Sequence, residues 1–401
     1  MSEGTQRTGV APAREEPAWG AVVSMTLGVF GLVTAEFLPA SLLTPMAADL
    51  GVSEGLAGQA VTATAVVALV TSLLVSTVTR RIDRRIVLLA FSILLTVSNL
   101  LVAFAPGLPA LLLARVVLGV ALGGFWTMSA ATVMRLVPEA LVPRALSLLF
   151  SGVSAATVAA APLGSYFGDI IGWRGVFLIA AVLGLLALAV QFATLPRMAP
   201  SGTTRLRTLV DVLARPQVGF GMLAVLLVFT GHFAFFTYIR PFLETVTGVG
   251  ITGVSGILLG FGIANFLGTF LGGILLERSM RLTMMLMPLT MGILGLGLVA
   301  VGGGAPVANT AMVALWGVAF GAVPVAWSTW LTRTVPDEAE SAGGLLVAAV
   351  QLAIATGAAA GGAIFDVSGA LGVFTGAGLV LLVAAAMITA GIRPRTAAAA
   401  A

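Results

Sequence analysis

Glu36 and Arg115 stand inside long apolar runs of this 401-residue chain, where an ionisable side chain is costly. No ionisable residue occurs from Ala21 to Ala35. On a helix opening at Trp19 and rising about 1.5 Å per residue, Glu36 lies roughly 25 Å along, within an apolar slab about 30 Å thick. A carboxylate at that depth faces a partner or a water-filled cavity, and it is a group that can take up and release a proton. Arg115 lies roughly 9 Å from the face at which Pro109 enters; Glu36, counted back from Leu42–Pro45, lies roughly 9–13 Å from the same face. Two opposite charges at matched depth suggest a pair. Arg115 keeps its charge under ordinary conditions, so Glu36 is the candidate proton carrier and Arg115 its electrostatic regulator. The plainer readings stay open: a Glu that ends a helix terminated early by Pro39 or Pro45, and an Arg that hydrogen-bonds backbone carbonyls.

A second constellation is GHFAFFTYIRP, residues 231–241. His232 is the only histidine and falls near mid-span, where a lone His is most often a packed, hydrogen-bonded residue. Phe235, Phe236 and Tyr238 are ordinarily core or lipid-facing; as a cavity wall they would stack on a flat ring. Trp126, Asn265, Trp316 and Gln351 are further large or polar residues in apolar runs, while Trp327 and Trp330 read as belt aromatics at an interface. The turn TRRIDRR, residues 79–85, is a solvated basic turn by its arginines; Asp83 suggests more, a carboxylate against a helix N-terminus or a latch with Arg84 and Arg85. Gly119 and Gly123 form a G-x-x-x-G step for close helix packing. Pro162, two residues before Gly164, should kink its helix.

The elements that carry these residues follow from composition. The chain is 59% hydrophobic and 9% charged, with mean hydropathy +1.10, whereas a soluble domain has about 25% charged residues. That composition belongs to a polytopic helical membrane protein. The pI near 10.8 reflects arginines in short loops, not a nucleic-acid surface. With no cysteine and one histidine, disulfides, thiol catalysis and a multi-histidine metal site are excluded. No cofactor is expected, and the spans offer no converging nucleophiles or paired acids for an enzyme.

Apolar runs recur near residues 19–45, 56–79, 86–105, 109–134, 144–168, 175–195, 218–243, 253–276, 282–302, 306–331, 341–365 and 370–392, which makes twelve helices. The expected organisation is a tail at 1–18, a six-helix bundle at 19–195, a central loop at 196–217, a second bundle at 218–392 and a tail at 393–401. If the N-terminus is cytoplasmic, all loop arginines fall inside except Arg174 and Arg240, which places both termini and the central loop in the cytoplasm. A shift of 198 residues carries Gly119, Gly123, Arg135, Pro138, Gly164 and Phe167 onto Gly317, Gly321, Arg333, Pro336, Gly362 and Phe365. A parallel six-plus-six repeat places a site between the halves near mid-membrane and serves alternating access.

These residues resemble the major facilitator superfamily in its drug–proton antiporter branch, over about 19–392. Asp83-Arg84-Arg85 is similar to the end of that family's loop motif, Arg115 to Gly119 to its Arg-x-x-x-Gly motif, and Pro162 with Gly164 to its antiporter motif. The loop motif lacks its usual Gly before Arg84, and Ala161 and Ser165 stand where the antiporter motif has Gly. Within that branch, AEFLP (35–39), LLTPMAADLGVSEGLAGQAVT (42–62), GGFWTMSA (123–130), Gly172-Trp173-Arg174 and GHFAFFTYIRP resemble the sugar-efflux-type pumps, most closely those of purine ribonucleosides. The resemblance implies a monomeric inner-membrane antiporter that exports a small polar metabolite, a purine ribonucleoside such as inosine or guanosine, against protons. It ties Arg115 to coupling. Trp126, His232, Phe235, Phe236, Tyr238, Asn265 and Gln351 are the candidate substrate contacts. Sugar or multidrug efflux on the same fold, and a receptor or scaffold without transport, are the alternatives.

Overall fold

A backbone in lipid has only itself to satisfy its polar groups, so each apolar run closes its hydrogen bonds within a helix. The computed structural model describes residues 16–138, 141–199, 206–215, 217–335 and 339–391. The first half holds α1 (Trp19–Ser41), the short α2 (Leu43–Leu50), α3 (Glu54–Val78), α4 (Arg84–Ala103), α5 (Leu108–Met134), α6 (Val142–Ile170) and α7 (Gly172–Thr194). A short α8 (Leu206–Leu213) lies in the connecting segment. The second half holds α9 (Val218–Thr237), the short α10 (Ile239–Thr245), α11 (Ile251–Arg278), α12 (Met280–Val301), α13 (Pro306–Thr334) and α14 (Ala339–Gly391). Eleven of these helices are long and apolar enough to span a membrane. The last, α14, breaks at Gly369 (φ 64°, ψ −168°), a conformation open to glycine and few others, and supplies two spans. The fold is therefore all-α, twelve transmembrane helices in two six-helix bundles.

Local chemistry sets the ends. Ser53 accepts a hydrogen bond from the Leu56 N–H at 3.1 Å and caps α3. Asp83 does the same for α4 through the Arg85 N–H at 2.8 Å, and Ser279 for α12. The run at 19–45 divides at Leu42, and Pro39 does not end α1 but sits inside it. Pro162 likewise sits inside α6, which continues on to Ile170.

The internal repeat is visible as packing. α3 packs on α5 as α11 packs on α13; α1 packs on α6 as α9 packs on α14. The glycines at the equivalent steps meet equivalent backbone: a Cβ on Gly119 would lie 2.6 Å from the Thr64 carbonyl oxygen, and one on Gly317 would lie 2.6 Å from that of Phe261. Gly123 and Gly321 approach the Ala68 and Asn265 carbonyls closer still. The halves touch most extensively where α3 meets α14 and α6 meets α11, with smaller contacts of α1 on α9 and α10 and of α2 on α10. Large apolar side chains such as Leu113 and Phe270 remain exposed on the outer faces, where lipid covers them.

Candidate functional site between the halves

Proline chemistry shapes the end of α1. Pro39 has no N–H to give to Ala35, its helical acceptor four residues back. The guanidinium of Arg115, fully buried on α5, takes that carbonyl instead, with Nη1 at 2.9 Å. Its Nε donates to the Ala60 carbonyl of α3 at 3.2 Å. Arg115 thus ties α1, α3 and α5 through backbone oxygens, the plainer of its two sequence readings. Glu36, next to Ala35 and buried, feels the Arg115 charge through space; the two make no direct ion pair. Nη2 of Arg115 has no hydrogen-bond partner among the described residues.

The polar side chain beside Glu36 from the other half is Gln351 of α14, itself buried. Beside it, Phe37 of α1 meets Phe236 of α9 edge to face, with ring centroids 5.3 Å apart. Glu36, Phe37, Phe236 and Gln351 are therefore brought to the seam where the bundles face each other.

The remaining aromatic candidates are largely committed to packing. His232 accepts a hydrogen bond at Nδ1 from the Trp316 indole at 3.2 Å and lies flat on Phe320 at 3.2 Å. Phe235 stacks on Trp316 at 3.7 Å and is sealed in the second half. Tyr238 donates to the Ala358 carbonyl at 3.0 Å, stacks on Phe365, and fills the space left by Gly58, Gly361 and Gly362. Trp126 stacks on Phe150 within the first half, and Asn265 is half-buried on α11. Trp327 and Trp330 correct their sequence reading. Both are buried, packed on each other at 5.5 Å, with Trp330 over Gly221, because small residues on α9 admit the indole.

At the end that carries the 79–85 turn, Asp83 accepts from the Met198 N–H as well as from Arg85. Arg84 donates to Thr79 and Arg85 to the Phe192 carbonyl. These contacts fasten the chain leaving α7 to its own half. Gly164 lets α6 lie against Ser41 and Leu38 of α1.

The opposite end is where the halves are joined. Pro45 leaves the Ser41 carbonyl without its helical donor, and Arg240 of α10 donates to it across the seam. Arg240 also pairs with Glu244 at 2.7 Å. Ser53 donates to Asp366 at 3.0 Å. Nearby, Arg174 pairs with Asp49 of α2, whose carboxyl it holds below the usual aspartate range, and donates to the Ala105 carbonyl. Ser41, Asp49, Ser53 and Asp366 were not singled out by their types. The signal available was positional: Arg174 and Arg240 break the arginine asymmetry, and each does so to grip another element.

Two repeated bundles, a buried carboxylate at their seam and closure at one end define a secondary transporter. The family model of the Major Facilitator Superfamily matches residues 25–353, and the chain belongs to that family. It is 46% identical over 393 residues to the purine ribonucleoside efflux pump NepI of Shigella dysenteriae serotype 1 (strain Sd197), covering 98% of this chain and 100% of that one. It is equally similar to NepI of Escherichia coli (strain K12), covering 98% and 99%. Among solved structures, a D-xylose–proton symporter superposes with TM-score 0.74 at 17% identity, covering 94% of this chain and 97% of the other. A bacterial homolog of the human lysosomal transporter Spinster, in an inward-facing and occupied conformation, superposes with TM-score 0.72 at 15% identity, covering 92% and 95%.

Proposed function

We propose that this multi-pass membrane protein exports purine ribonucleosides such as inosine and guanosine from the cytoplasm in exchange for protons. It works as a monomer of the inner membrane, with bundles at 19–195 and 218–392 and both termini cytoplasmic. The observation that carries the reading is Glu36, a buried carboxylate on α1 with the buried Arg115 of its own half and Gln351 of the other half beside it. A neutral nucleoside can be driven by a proton gradient only through a group whose protonation differs between the two open states. Glu36 has the burial and the position to be that group, and Arg115 supplies the fixed charge beside it. The near full-length likeness to pumps named for purine ribonucleosides supports the cargo. The aromatic ring of Phe236 suits a purine face, and the amide of Gln351 suits its polar edge or the ribose.

In this orientation the Arg240–Ser41 and Ser53–Asp366 contacts lie on the extracytoplasmic side, and the structure is closed there. Asp83, Arg84 and Arg85 lie on the cytoplasmic side; Asp83 and the Arg84 backbone hold the start of the linker at Met198 and Arg85 holds Phe192 of α7, so that the linker moves with the first bundle. The test is flux of labelled inosine in proteoliposomes under an imposed proton gradient, with arabinose and a lipophilic cation as competitors. Uphill, gradient-dependent inosine flux resistant to both competitors supports the reading. Flux of the sugar or the cation in its place would reassign the cargo while keeping the fold.

A further inference from the structure

All but one edge of the His232 imidazole is occupied by protein. Trp316 donates its indole N–H to Nδ1 at 3.2 Å. Phe320 covers one face, with ring centroids 3.2 Å apart and planes 2° from parallel. Phe233 meets the ring edge to face at 5.0 Å. What remains is Nε2, which has no hydrogen-bond partner among the described residues. His232 is only 2% exposed, and Nε2 lies in that remainder, since it is not one of the sealed polar atoms that lack a partner.

Accepting at Nδ1 fixes the tautomer. A neutral imidazole that accepts at one nitrogen carries its proton on the other, so His232 is an N–H donor at Nε2. An imidazolium would carry N–H at both nitrogens, and its Nδ1–H would point at the indole N–H. Trp316 therefore holds His232 as a neutral donor and sets it aside as a carrier of the transported proton. A buried donor without an acceptor is unfavourable. Its fitting occupant is an acceptor that arrives and departs.

The neighbouring rings say where that acceptor lies. Phe236 stands four residues beyond His232 on α9, on the same helix face and about 6 Å along the axis. It is also the ring that meets Phe37 of the other half. The imidazole plane is 17° from that of Phe236 and 16° from that of Phe261. A flat base laid on Phe236 is then nearly parallel to the imidazole, and an N–H in the imidazole plane meets it along its edge. Purines carry N7 on the edge away from the ribose, an in-plane acceptor. A pyrimidine nucleoside has C–H groups on its corresponding edge.

We infer that His232 is the specificity-determining residue for purines, donating its Nε2–H to N7 of the bound ribonucleoside, and that Trp316 is the positioning residue that keeps the proton on Nε2. This rests on the purine ribonucleoside reading of the cargo. Donor and acceptor are both neutral, so the bond does not depend on the charge at Glu36.

The experiment is equilibrium binding of inosine, 7-deazainosine and 3-deazainosine to the full-length protein. Wild type should bind the 7-deaza analogue about tenfold more weakly than inosine and the 3-deaza analogue within about twofold. His232→Phe keeps a ring on Phe320 and should bind inosine no better than 7-deazainosine. His232→Gln carries an amide N–H in place of Nε2–H and should restore part of the preference. Trp316→Phe keeps the stack on Phe235 but frees Nδ1, so the proton is shared between two nitrogens and the preference should narrow several-fold. Equal wild-type affinity for inosine and 7-deazainosine overturns the inference, as does weakening by the 3-deaza change in place of the 7-deaza change. A full preference in folded His232→Phe, with affinity for both ligands lowered alike, would make the residue structural and overturn it too. Should that variant not fold, an undiminished preference in Trp316→Phe does the same. Arabinose binding to folded wild type that binds no inosine would overturn the cargo reading and this inference with it.

Discussion

Arg115 hydrogen-bonds the carbonyl of Ala35, the one oxygen near the end of α1 that Pro39 leaves without a helical donor. The residue carrying the fixed charge is thus anchored one position from the carboxylate it acts on, and the anchor is backbone. Restoring the missing N–H should disturb it. Pro39→Ala would give Ala35 an internal partner and improve helix propensity by about 3 kcal/mol. Thermal stability should hold or rise while proton-driven inosine flux falls several-fold. Normal flux in this variant would show that the anchor is incidental.

Glu36→Gln should abolish gradient-driven export and leave exchange of labelled against unlabelled inosine, because the amide fixes a neutral form without blocking the seam. Arg115→Lys keeps a charge but not the planar fork that spans Ala35 and Ala60, and a partial loss of export is expected. Uphill export at the normal rate by Glu36→Gln would remove Glu36 from the mechanism.

The neighbouring phenylalanines of α9 should part company. Phe236 meets Phe37 at the seam, whereas Phe235 is sealed against Trp316 and Phe374. A base-stacking ring is worth about 1–3 kcal/mol, so Phe236→Leu should weaken inosine binding about fivefold or more. Phe235→Leu should lower the melting temperature and leave the affinity of the folded fraction unchanged. The reverse pattern, read by binding and thermal melts, would place the cavity on the other face of α9.

The repeat makes a paired prediction about packing. Ala at Gly123 or Gly321 drives a methyl into the backbone of Ala68 or Asn265, and overpacking of this kind costs about 1–3 kcal/mol. Gly260→Ala, with nothing near the added carbon, should be neutral or stabilising. Equal melting temperatures for all three would refute the close-approach reading.

Asp49 gives a pH signature at the surface. Its hydrogen bond and charge pairing with Arg174 depress its pKa in the folded state. The stabilisation is therefore present above the ordinary aspartate range and is lost as pH falls through the depressed folded value. The pair is partly exposed, so screening limits it to about 1 kcal/mol or less. Asp49→Asn should melt slightly below wild type at neutral pH, and the two should converge in strong acid.

The fold was legible because hydrophobic run lengths and the 198-residue repeat are properties of residue order alone. The depth match of Glu36 and Arg115 was legible for the same reason. Their actual relation was not, since whether a guanidinium meets a carboxylate or a carbonyl depends on which backbone groups are free. The spacing of four between Ala35 and Pro39 held that clue. Phe235 and Phe236 are adjacent and chemically identical, so only the rotation of α9 against its neighbours separates a seam residue from a buried one. Gln351 was one polar residue among several, and its place beside Glu36 depends on how the two halves meet.

The contact between Arg240 and Ser41 has a consequence for how the sequence is free to drift. One side of it is a carbonyl, which every residue type possesses, so this contact places no demand on the side chain at position 41. The demand falls on Pro45, four residues away, whose missing N–H keeps that oxygen available, and on Arg240 in the other half. Substitutions at 45 and 240 should therefore travel together among related chains, a covariation between two residues joined only through a third that is free to vary for its part in this contact.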